Sequence, residues 1–365
     1  MRKSKLFGSF KSFLSSFLPD AAMVSLLKWS VARKYKAPRF EFPYACGPLP
    51  RILVILPEEP LAALHQVSCL TSVAAHFKAA HLVALCEKRV APFFKTLGTV
   101  SKFMEYDAAD RYLFSREFDG IGREISAGRF DMCLMLEPNP DLSLLYCAGK
   151  SAAQVRIGIK GAGDYPFLNL HVNPAPCRTY LTDRSMLLAA MLGVPSGPKA
   201  RWSVTREAAD EAGLMLREMK VPLAARLIGI DGAYFYRRHG RQWTQSLLDM
   251  LQKKPFVCWL FSHGEPGGDA AAWAGERNLP LLADLPAARS AAVISKSEFV
   301  VAGPTVLFEL ADLLRTSAVG VFEEAELGTY CRESATSRGL GYVSRPDGST
   351  IDAIERCVDA MPVKR

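Results

Sequence analysis

The sequence predicts an α/β fold made of two doubly wound parallel-sheet domains that face each other across a central cleft. An apolar strand, Arg51 to Pro57, leads through a short loop into a helix-length segment that ends near Phe77. A second unit of the same shape occupies residues 298–322. At 365 residues the chain is longer than one hydrophobic core usually supports. Two domains, each with a strand running into a helix where ligands collect, are therefore expected.

Short apolar runs and amphipathic segments alternate through both halves, which predicts a parallel sheet in each. The predicted strands are residues 52–56, 81–86, 102–106, 132–136, 155–159, 227–230, 256–261, 281–283, 298–302 and 318–322. The predicted helices are residues 62–77, 90–97, 118–127, 142–148, 178–192, 208–219, 246–251, 270–277, 287–295, 307–314 and 351–361. Residues 231–243 are predicted to be a loop.

This pattern divides the chain into four segments. They are an N-terminal arm (residues 1–45), a first α/β domain (46–195), a second α/β domain (196–350) and a closing helix with its tail (351–365). The boundary between the domains is placed at Pro195 to Pro198, because two prolines around Ser-Gly are typical of a linker.

The net charge of +8 resides in the arm. Residues 1–40 hold nine of the 45 basic residues and one of the 37 acidic ones, so the rest of the chain has 36 of each. A neutral body argues against nucleic acid as a partner. A basic arm instead predicts contact with an anionic membrane surface.

The arm contains a stripe of four phenylalanines at helical spacing, Phe7, Phe10, Phe13 and Phe17. A second segment, residues 21–35, carries Trp29. Peripheral membrane contact and packing on the protein's own body are the two main interpretations. Lys11 and Pro19 interrupt the apolar core that a signal peptide needs, and no segment is long enough to span a bilayer.

Nine cysteines are scattered along the sequence without a CxxC pair. Several lie in apolar runs and are expected to be small buried side chains, namely Cys69, Cys86, Cys133 and Cys258. An odd, unpaired number predicts a reducing compartment, which we take to be the cytoplasm. No spacing suggests a metal site.

Several stretches resemble one known family. Arg51 to Pro57, a helix with His65 and Phe77, and residues 81–92 resemble the opening of the heptosyltransferase-like glycosyltransferases of family 9, which have the GT-B fold. Later matches are Arg129-Phe-Asp131, Arg156-Ile-Gly158, Met191 to Pro195, Leu227-Ile-Gly229, Gln242-Trp243 and residues 299–322. The resemblance covers roughly residues 51–360 and consists of scaffold positions.

The resemblance implies two Rossmann-like domains, with the acceptor glycan held by the first and a nucleotide-sugar, most simply an ADP-sugar, by the second. It implies inverting transfer without a metal ion or other cofactor. A general base must then take a proton from the acceptor hydroxyl. The family's aspartate aligns with Ala62, which cannot accept a proton. The candidate substitutes are Glu59, Glu58, His65 and Glu137.

The second departure concerns the diphosphate. The family's Asp-Ser/Thr-Gly-Pro-x-His motif, at a helix start, aligns with Pro304 to Glu309, so Thr305 is kept and the histidine becomes Glu309. Gly303 restores flexibility, whereas Glu309 would repel a diphosphate. The implied diphosphate ligands are Arg241, which takes the place of the family's lysine, and its neighbours Arg237 and Arg238. Glu265, beside Gly264 in a Gly-rich turn, is the implied ribose ligand. The plainer interpretation of the arginines, of Glu265 and of Glu58 and Glu59 is that they are solvated loop residues, and His239 and His263 are expected at the surface.

Two functions remain open at this point. The first is transfer of a heptose-like sugar from a nucleotide donor to a lipopolysaccharide or other lipid-linked acceptor, at the cytoplasmic face of a bacterial inner membrane. The second is a non-catalytic GT-B protein that binds a glycan or a partner. Loss of the base, the motif glycine and the motif histidine together favours the second function, and the surviving Thr305 and the arginines favour the first.

Overall fold

The computed structural model describes residues 20–34, 47, 49–78, 80–113, 115–159, 165–173, 180–195, 197, 200–222, 225–262, 274–283 and 285–360. The chain divides into two compact units. The first is Met1–Arg178 with Thr182–Gly197, and the second is Thr179–Leu181 with Pro198–Arg365. Two doubly wound parallel sheets were predicted and are confirmed, one in each unit.

The first unit is a six-stranded parallel sheet with helices between the strands. The strands pair in the order β3-β2-β1-β4-β5-β6. Their bounds are β1 (Arg51–Ile55), β2 (His81–Glu87), β3 (Lys102–Tyr106), β4 (Met132–Met135), β5 (Val155–Ile159) and β6 (Leu170–Val172). The helices are α1 (Asp20–Lys34), α2 (Pro60–Leu64), α3 (Val67–His76), α4 (Ala91–Lys95), α5 (Arg116–Ala127), α6 (Leu142–Lys150) and α7 (Leu181–Met191).

The second unit has the same plan. Its parallel strands pair in the order β12-β11-β10-β7-β8-β9. The strands are β7 (Leu227–Ile230), β8 (Val257–Ser262), β9 (Leu281–Ala283), β10 (Phe299–Ala302), β11 (Ser317–Glu323) and β12 (Ser337–Tyr342). The helices are α8 (Arg206–Glu218), α9 (Gly232–Gln252), α10 (Ala287–Lys296), α11 (Val306–Leu313), α12 (Glu324–Tyr330) and α13 (Gly348–Ala360).

Both sheets have the same topology. When the strands of each unit are numbered from its own first strand, both sheets read 3-2-1-4-5-6. The strand order reverses between β1 and β4 in the first unit and between β7 and β10 in the second. Ligands of doubly wound folds bind at this switch point, outside the carboxyl ends of the strands. The topological counterpart of β1 is therefore β7, whereas residues 298–322 contain β10, α11 and most of β11.

Burial explains why the central strands read as continuous apolar runs. Every residue of β4, β7 and β10 is buried, because helices cover both faces of a parallel sheet. The four cysteines predicted to be interior are buried and free. Helix starts are fixed by side chains that accept backbone N–H groups, such as Ser115 at α5 and Thr205 at α8.

The predicted loop at residues 231–243 is wrong. This segment is helical from Gly232 onward, and the helix is interrupted where Gly240 takes a φ of 83°. Its polar and aromatic residues hid the helical period, while the positive φ confirms a local break that glycine accommodates without strain. The sequence patterns also did not predict β6, α12 and β12, which are short or only half-buried. Of the helix predicted at residues 270–277, residues 270–273 lie outside the described residues, and residues 274–276 are helical.

The predictions for the two halves of the arm are tested to different extents. The phenylalanine stripe lies outside the described residues. The second segment forms α1, which packs on the first unit through Leu27 and Val31, with exposures of 5% and 0%. Among the described residues, no helix combines the length and the apolarity needed to cross a bilayer.

Candidate functional site

The switch point of the first unit is lined by carboxylates. Glu58 and Glu59 follow β1, and Glu137 follows the adjacent strand β4. One Glu137 oxygen accepts the backbone N–H of Glu58 at 3.3 Å, and its other oxygen accepts that of Asn139 at 3.0 Å. The loops after β1 and β4 are thereby joined, and three of the four candidate bases lie at one edge of the sheet.

The carboxylate of Glu58 is held by two partners. Tyr106, at the end of β3, donates its hydroxyl proton to Glu58 at 2.8 Å, and Arg111 lies 2.5 Å from the same oxygen. Arg111 also contacts Asp141, the N-cap of α6, at 2.6 Å. Burial and the charge of Glu58 raise the pKa of Tyr106, so its hydroxyl stays protonated as a donor. Both partners approach the same oxygen, so this side chain is held in place within the loop after β1.

Glu59 occupies a different position. It is exposed and is the N-cap of α2, where one carboxylate oxygen accepts the backbone N–H of Ala62 at 2.7 Å. His65, at the end of the same helix, is 1% exposed, and its Nδ1 lies 3.2 Å from the hydroxyl of Thr182. Glu59 is thus a candidate base whose carboxylate is exposed to solvent at a helix start, whereas His65 is buried.

The switch point of the second unit is built around Asp231, which directly follows β7. Its backbone N–H donates to the carbonyl of Val301 in β10 at 3.0 Å. One carboxylate oxygen accepts the N–H of Tyr234 at 3.2 Å, and the other accepts the hydroxyl of Thr305. Asp231 is 4% exposed. The hydroxyl of Thr305, the N-cap of α11, is therefore directed to a buried carboxylate.

The approach to α11 is also occupied by an aromatic ring. A Cβ added to Gly303 would lie 2.1 Å from a ring carbon of Tyr234, so the absence of a side chain at residue 303 makes room for that ring. Pro304 follows and has no N–H to offer an anion. The segment after β7 thus covers the turn that the family motif would use for phosphate.

The arginines implied as diphosphate ligands have carboxylate or carbonyl partners. Arg238 is paired with Glu323 and Arg241 with Glu276, and Arg237 donates to the carbonyl of Ala233 at 3.3 Å. The Arg241 and Glu276 side chains are 56% and 53% exposed, so this pair is weak and Arg241 is readily released.

The remaining implied ligands fall into two groups. Glu309 lies in the first turn of α11 and is 1% exposed. Gly264 and Glu265, together with His263, lie outside the described residues.

His239 was expected at the surface, but it packs in an aromatic cluster with Trp243 and Tyr342, at ring distances of 5.0 and 5.2 Å. In the described part of the chain, no three metal-ligating side chains come together.

Sequence reasoning missed two residues of this arrangement, Tyr234 and Arg111. It placed Asp231 in the loop that should line the donor pocket, as expected for an aspartate directly after a buried strand, but did not predict its burial or its contact with Thr305. Tyr234 and Arg111 had no usable signal, since their positions depend on the helix that replaces the predicted loop and on pairing over long sequence separations.

The charge on Asp231 destabilises the second unit at neutral pH. Burial raises its pKa from 3.8 to about 6, and the Thr305 hydroxyl, the Tyr234 N–H and Arg237 offset this only in part. A raised pKa means that the folded state binds the proton more tightly, so stability falls as pH rises from 3.8 through 6. The full cost above pH 6 is about 3 kcal/mol.

We expect Asp231→Asn to stabilise the protein by up to about 3 kcal/mol at pH 8, since asparagine keeps the cap without the charge. The gain should shrink by about 1.4 kcal/mol when the pH is lowered to 5, where the native aspartate is largely protonated. Calorimetric unfolding of the two proteins at both pH values measures this. Asp141→Asn is the control, because it changes a cap whose side chain is 45% exposed. A variant no more stable than the native chain at pH 8 would contradict the expectation.

The two-unit architecture defines the class of fold. It is the GT-B fold, and over most of the chain it is shared with family 9 glycosyltransferases. The glycosyl transferase of this family from Veillonella parvula superposes with a TM-score of 0.72 at 14% identity, covering 84% of this chain and 91% of that one.

Two Escherichia coli enzymes show the same likeness. ADP-heptose lipopolysaccharide heptosyltransferase II has a TM-score of 0.68 at 14% identity, with 85% of this chain and 98% of that chain covered. Heptosyltransferase WaaC, solved with ADP, has a TM-score of 0.66 at 16% identity, with 86% and 100% covered. The sequence itself matches no family model and no curated protein. The fold resemblance inferred from residues 51–360 is therefore confirmed at the level of structure.

Proposed function

We propose that the protein is a glycosyltransferase that moves a heptose-like sugar from a nucleotide-sugar to a lipopolysaccharide or other lipid-linked glycan. The observation that carries this proposal is the GT-B fold, shared over 84–86% of the chain with family 9 enzymes. A nucleotide-sugar donor is the common requirement of that class. ADP-sugars are the first donors to test, because the structure of WaaC holds ADP.

In this proposal the first unit binds the acceptor and Glu59 is the general base. Its exposed carboxylate at the switch point can take the acceptor hydroxyl proton, while Glu58, tied to Tyr106 and Arg111, positions the loop. Inversion follows when the deprotonated hydroxyl attacks the anomeric carbon from the face opposite the leaving diphosphate. No step in this scheme requires a metal ion, provided that protein groups hold the diphosphate.

The second unit would bind the donor. The N-terminus of α11, which follows Gly303 and Thr305, supplies the N–H groups of its first turn and the positive end of the helix dipole. Arg241 is the best placed of the arginines to join a diphosphate, since its partner Glu276 is exposed and holds it weakly. Arg238 is a second candidate. Glu265 and Gly264 are proposed for the ribose. Asp231 and Glu309 oppose an anion here, so donor binding should be stronger when Asp231 is neutral.

Calorimetric titration with ADP-, UDP- and GDP-sugars tests the donor site. We expect an ADP-sugar to bind, and Arg241→Ala to weaken binding about tenfold, a loss of about 1.4 kcal/mol. Arg289→Ala is the matched control, because Arg289 is likewise an exposed arginine paired with a glutamate, Glu211. Equal affinity of the Arg241 variant and the native protein would remove Arg241 from the site. Folded protein that binds none of the three donors would end the transferase proposal.

A second candidate is a non-catalytic protein that uses the GT-B scaffold to bind a glycan or a partner. The specific observation in its favour is the second switch point, where a buried carboxylate and the Tyr234 ring occupy the approach to α11. A diphosphate would meet repulsion and a filled space there. Asp231→Asn shows whether charge or space closes the site. If native protein and this variant both fail to bind any donor, the blockage is steric and the non-catalytic proposal is favoured.

The proposed location is the cytoplasmic face of the inner membrane, because a lipid-linked acceptor must be reached at a bilayer. The basic residues 1–40 are proposed to provide electrostatic attraction to anionic lipid.

A further inference from the structure

Helix α1 has apolar side chains on two faces. The inner face docks on the first unit through Met23, Leu27 and Val31, which join its hydrophobic core. The fit is close, since a Cβ on Gly149 of α6 would lie 3.0 and 3.1 Å from the two Val31 methyl carbons. A surface helix normally has a polar opposite face.

The opposite face of α1 is not polar. Leu26 and Trp29, three residues apart, are 54% and 57% exposed. Arg33, one turn later, places its guanidinium 5.1 Å from the Trp29 ring centroid. These two side chains and the cation form a small amphiphilic patch, whose apolar part would gain free energy by leaving water.

The surrounding charge identifies the chemistry of an occupant for this patch. Helix α1 carries three basic residues, Lys28, Arg33 and Lys34, against one acidic residue, Asp20, at its first position. Each basic side chain near an anionic leaflet contributes about 1 kcal/mol of attraction. Tryptophan concentrates at the boundary between headgroups and acyl chains, where one part of its ring system is apolar and its N–H is hydrated. Leucine, tryptophan and arginine on one helical face fit this boundary.

A protein partner fits the same face less well. A stable protein interface buries roughly 800 Å² on each side. Two partly exposed side chains on one helix supply only a fraction of that area, whereas a bilayer needs only a shallow apolar anchor combined with charge.

We propose that the outer face of α1, formed by Leu26, Trp29 and Arg33, inserts into the headgroup boundary of an anionic bilayer. Since the inner face of α1 is fixed in the core of the first unit, insertion would attach this unit to the membrane by a rigid helix rather than by a tether. The inference rests on the proposed function only in that a lipid-linked acceptor gives the protein a reason to bind a membrane. Lipid binding alone tests it.

Co-sedimentation of the full chain with vesicles tests this inference without any sugar donor. We expect binding to vesicles of phosphatidylglycerol mixed with phosphatidylcholine, weakening as salt is raised, and little binding to phosphatidylcholine alone. The double variant Leu26→Gln, Trp29→Gln should bind anionic vesicles at least about tenfold more weakly, since about 1.4 kcal/mol of insertion suffices for that change. Its melting temperature should match that of the native chain, because both side chains are exposed.

Leu214→Gln is the matched control, because Leu214 is 58% exposed on a helix of the second unit and should leave vesicle binding unchanged. Unaltered binding by the double variant would overturn the inference, since attraction would then need only charge. So would a change of oligomeric state by light scattering without a change in lipid binding, which would assign the face to a second copy of the chain. Failure of donor binding, by contrast, would remove the proposed enzyme and leave this result standing.

Discussion

Glu59→Gln is expected to lower the turnover of sugar transfer by about 10²- to 10⁴-fold, the usual contribution of a general base. Glutamine cannot take a proton at neutral pH, but its side-chain oxygen can still accept the N–H of Ala62, so α2 keeps its cap. Turnover is measured with the donor identified by calorimetry and a lipid-linked acceptor, with both at saturating concentration. Donor affinity should stay unchanged, because Glu59 belongs to the first unit.

The control for this prediction is Glu58→Gln. It replaces the neighbouring carboxylate in the same loop and weakens the pairing with Arg111. We expect a smaller loss of turnover together with a lower melting temperature, because Glu58 holds the loop. The reverse ranking, in which Glu58→Gln abolishes transfer and Glu59→Gln does not, would make Glu58 the base. Unchanged turnover in both variants would exclude both residues.

Arg156→Met is expected to destabilise the first unit by about 3–5 kcal/mol, the cost of leaving several buried polar groups unpaired. The Arg156 side chain is 2% exposed and donates to three backbone carbonyls, those of Phe167 at 2.7 Å, Ala153 at 2.7 Å and Pro166 at 3.1 Å. Methionine fills much of the volume and donates nothing, so all three carbonyls lose this partner.

Hydrogen exchange followed by mass spectrometry measures this effect unit by unit. Protection should fall in β4, β5 and the segment 166–172 and remain unchanged in the second unit. Arg289→Met serves as the control, because its ion pair with Glu211 is about half exposed and such pairs contribute little. A loss below about 1 kcal/mol for Arg156→Met would show that solvent replaces the missing donors.

The fold was largely predictable from the sequence, for a physical reason. Strands buried on both faces, such as β4 and β10, must be apolar at every position, and this pattern can be recognised in a single sequence. Elements with weaker burial were missed. β12 contains two glycines and is buried only at its two ends, Ser337 and Tyr342, and α12 has no buried residue. The helix that starts at Gly232 was missed because its first turns carry tyrosines and arginines, which gave no clear apolar period.

The candidate site was less predictable. That Glu58 and Glu59 lie at the end of β1 follows from local sequence. The difference between them does not, because Tyr106, the last residue of β3, and Arg111, which follows that strand, reach Glu58 only once the sheet has folded. In the same way, Thr305 was foreseen as a phosphate ligand, but the carboxylate that accepts its hydroxyl is 74 residues away in sequence. Local patterns locate the edge of a sheet, and tertiary contacts decide what each side chain there can do.

Each sheet is built from one continuous stretch of the chain, and this affects how the protein folds during synthesis. All six strands of the first sheet lie within residues 51–172, and all six of the second lie within residues 227–342. The ribosome therefore releases a full set of pairing partners for one sheet before the other has emerged. Domains generally fold as units during synthesis, with the N-terminal one first. The nascent first unit can thus bury its core, with α1 already in place, while the second is still being translated.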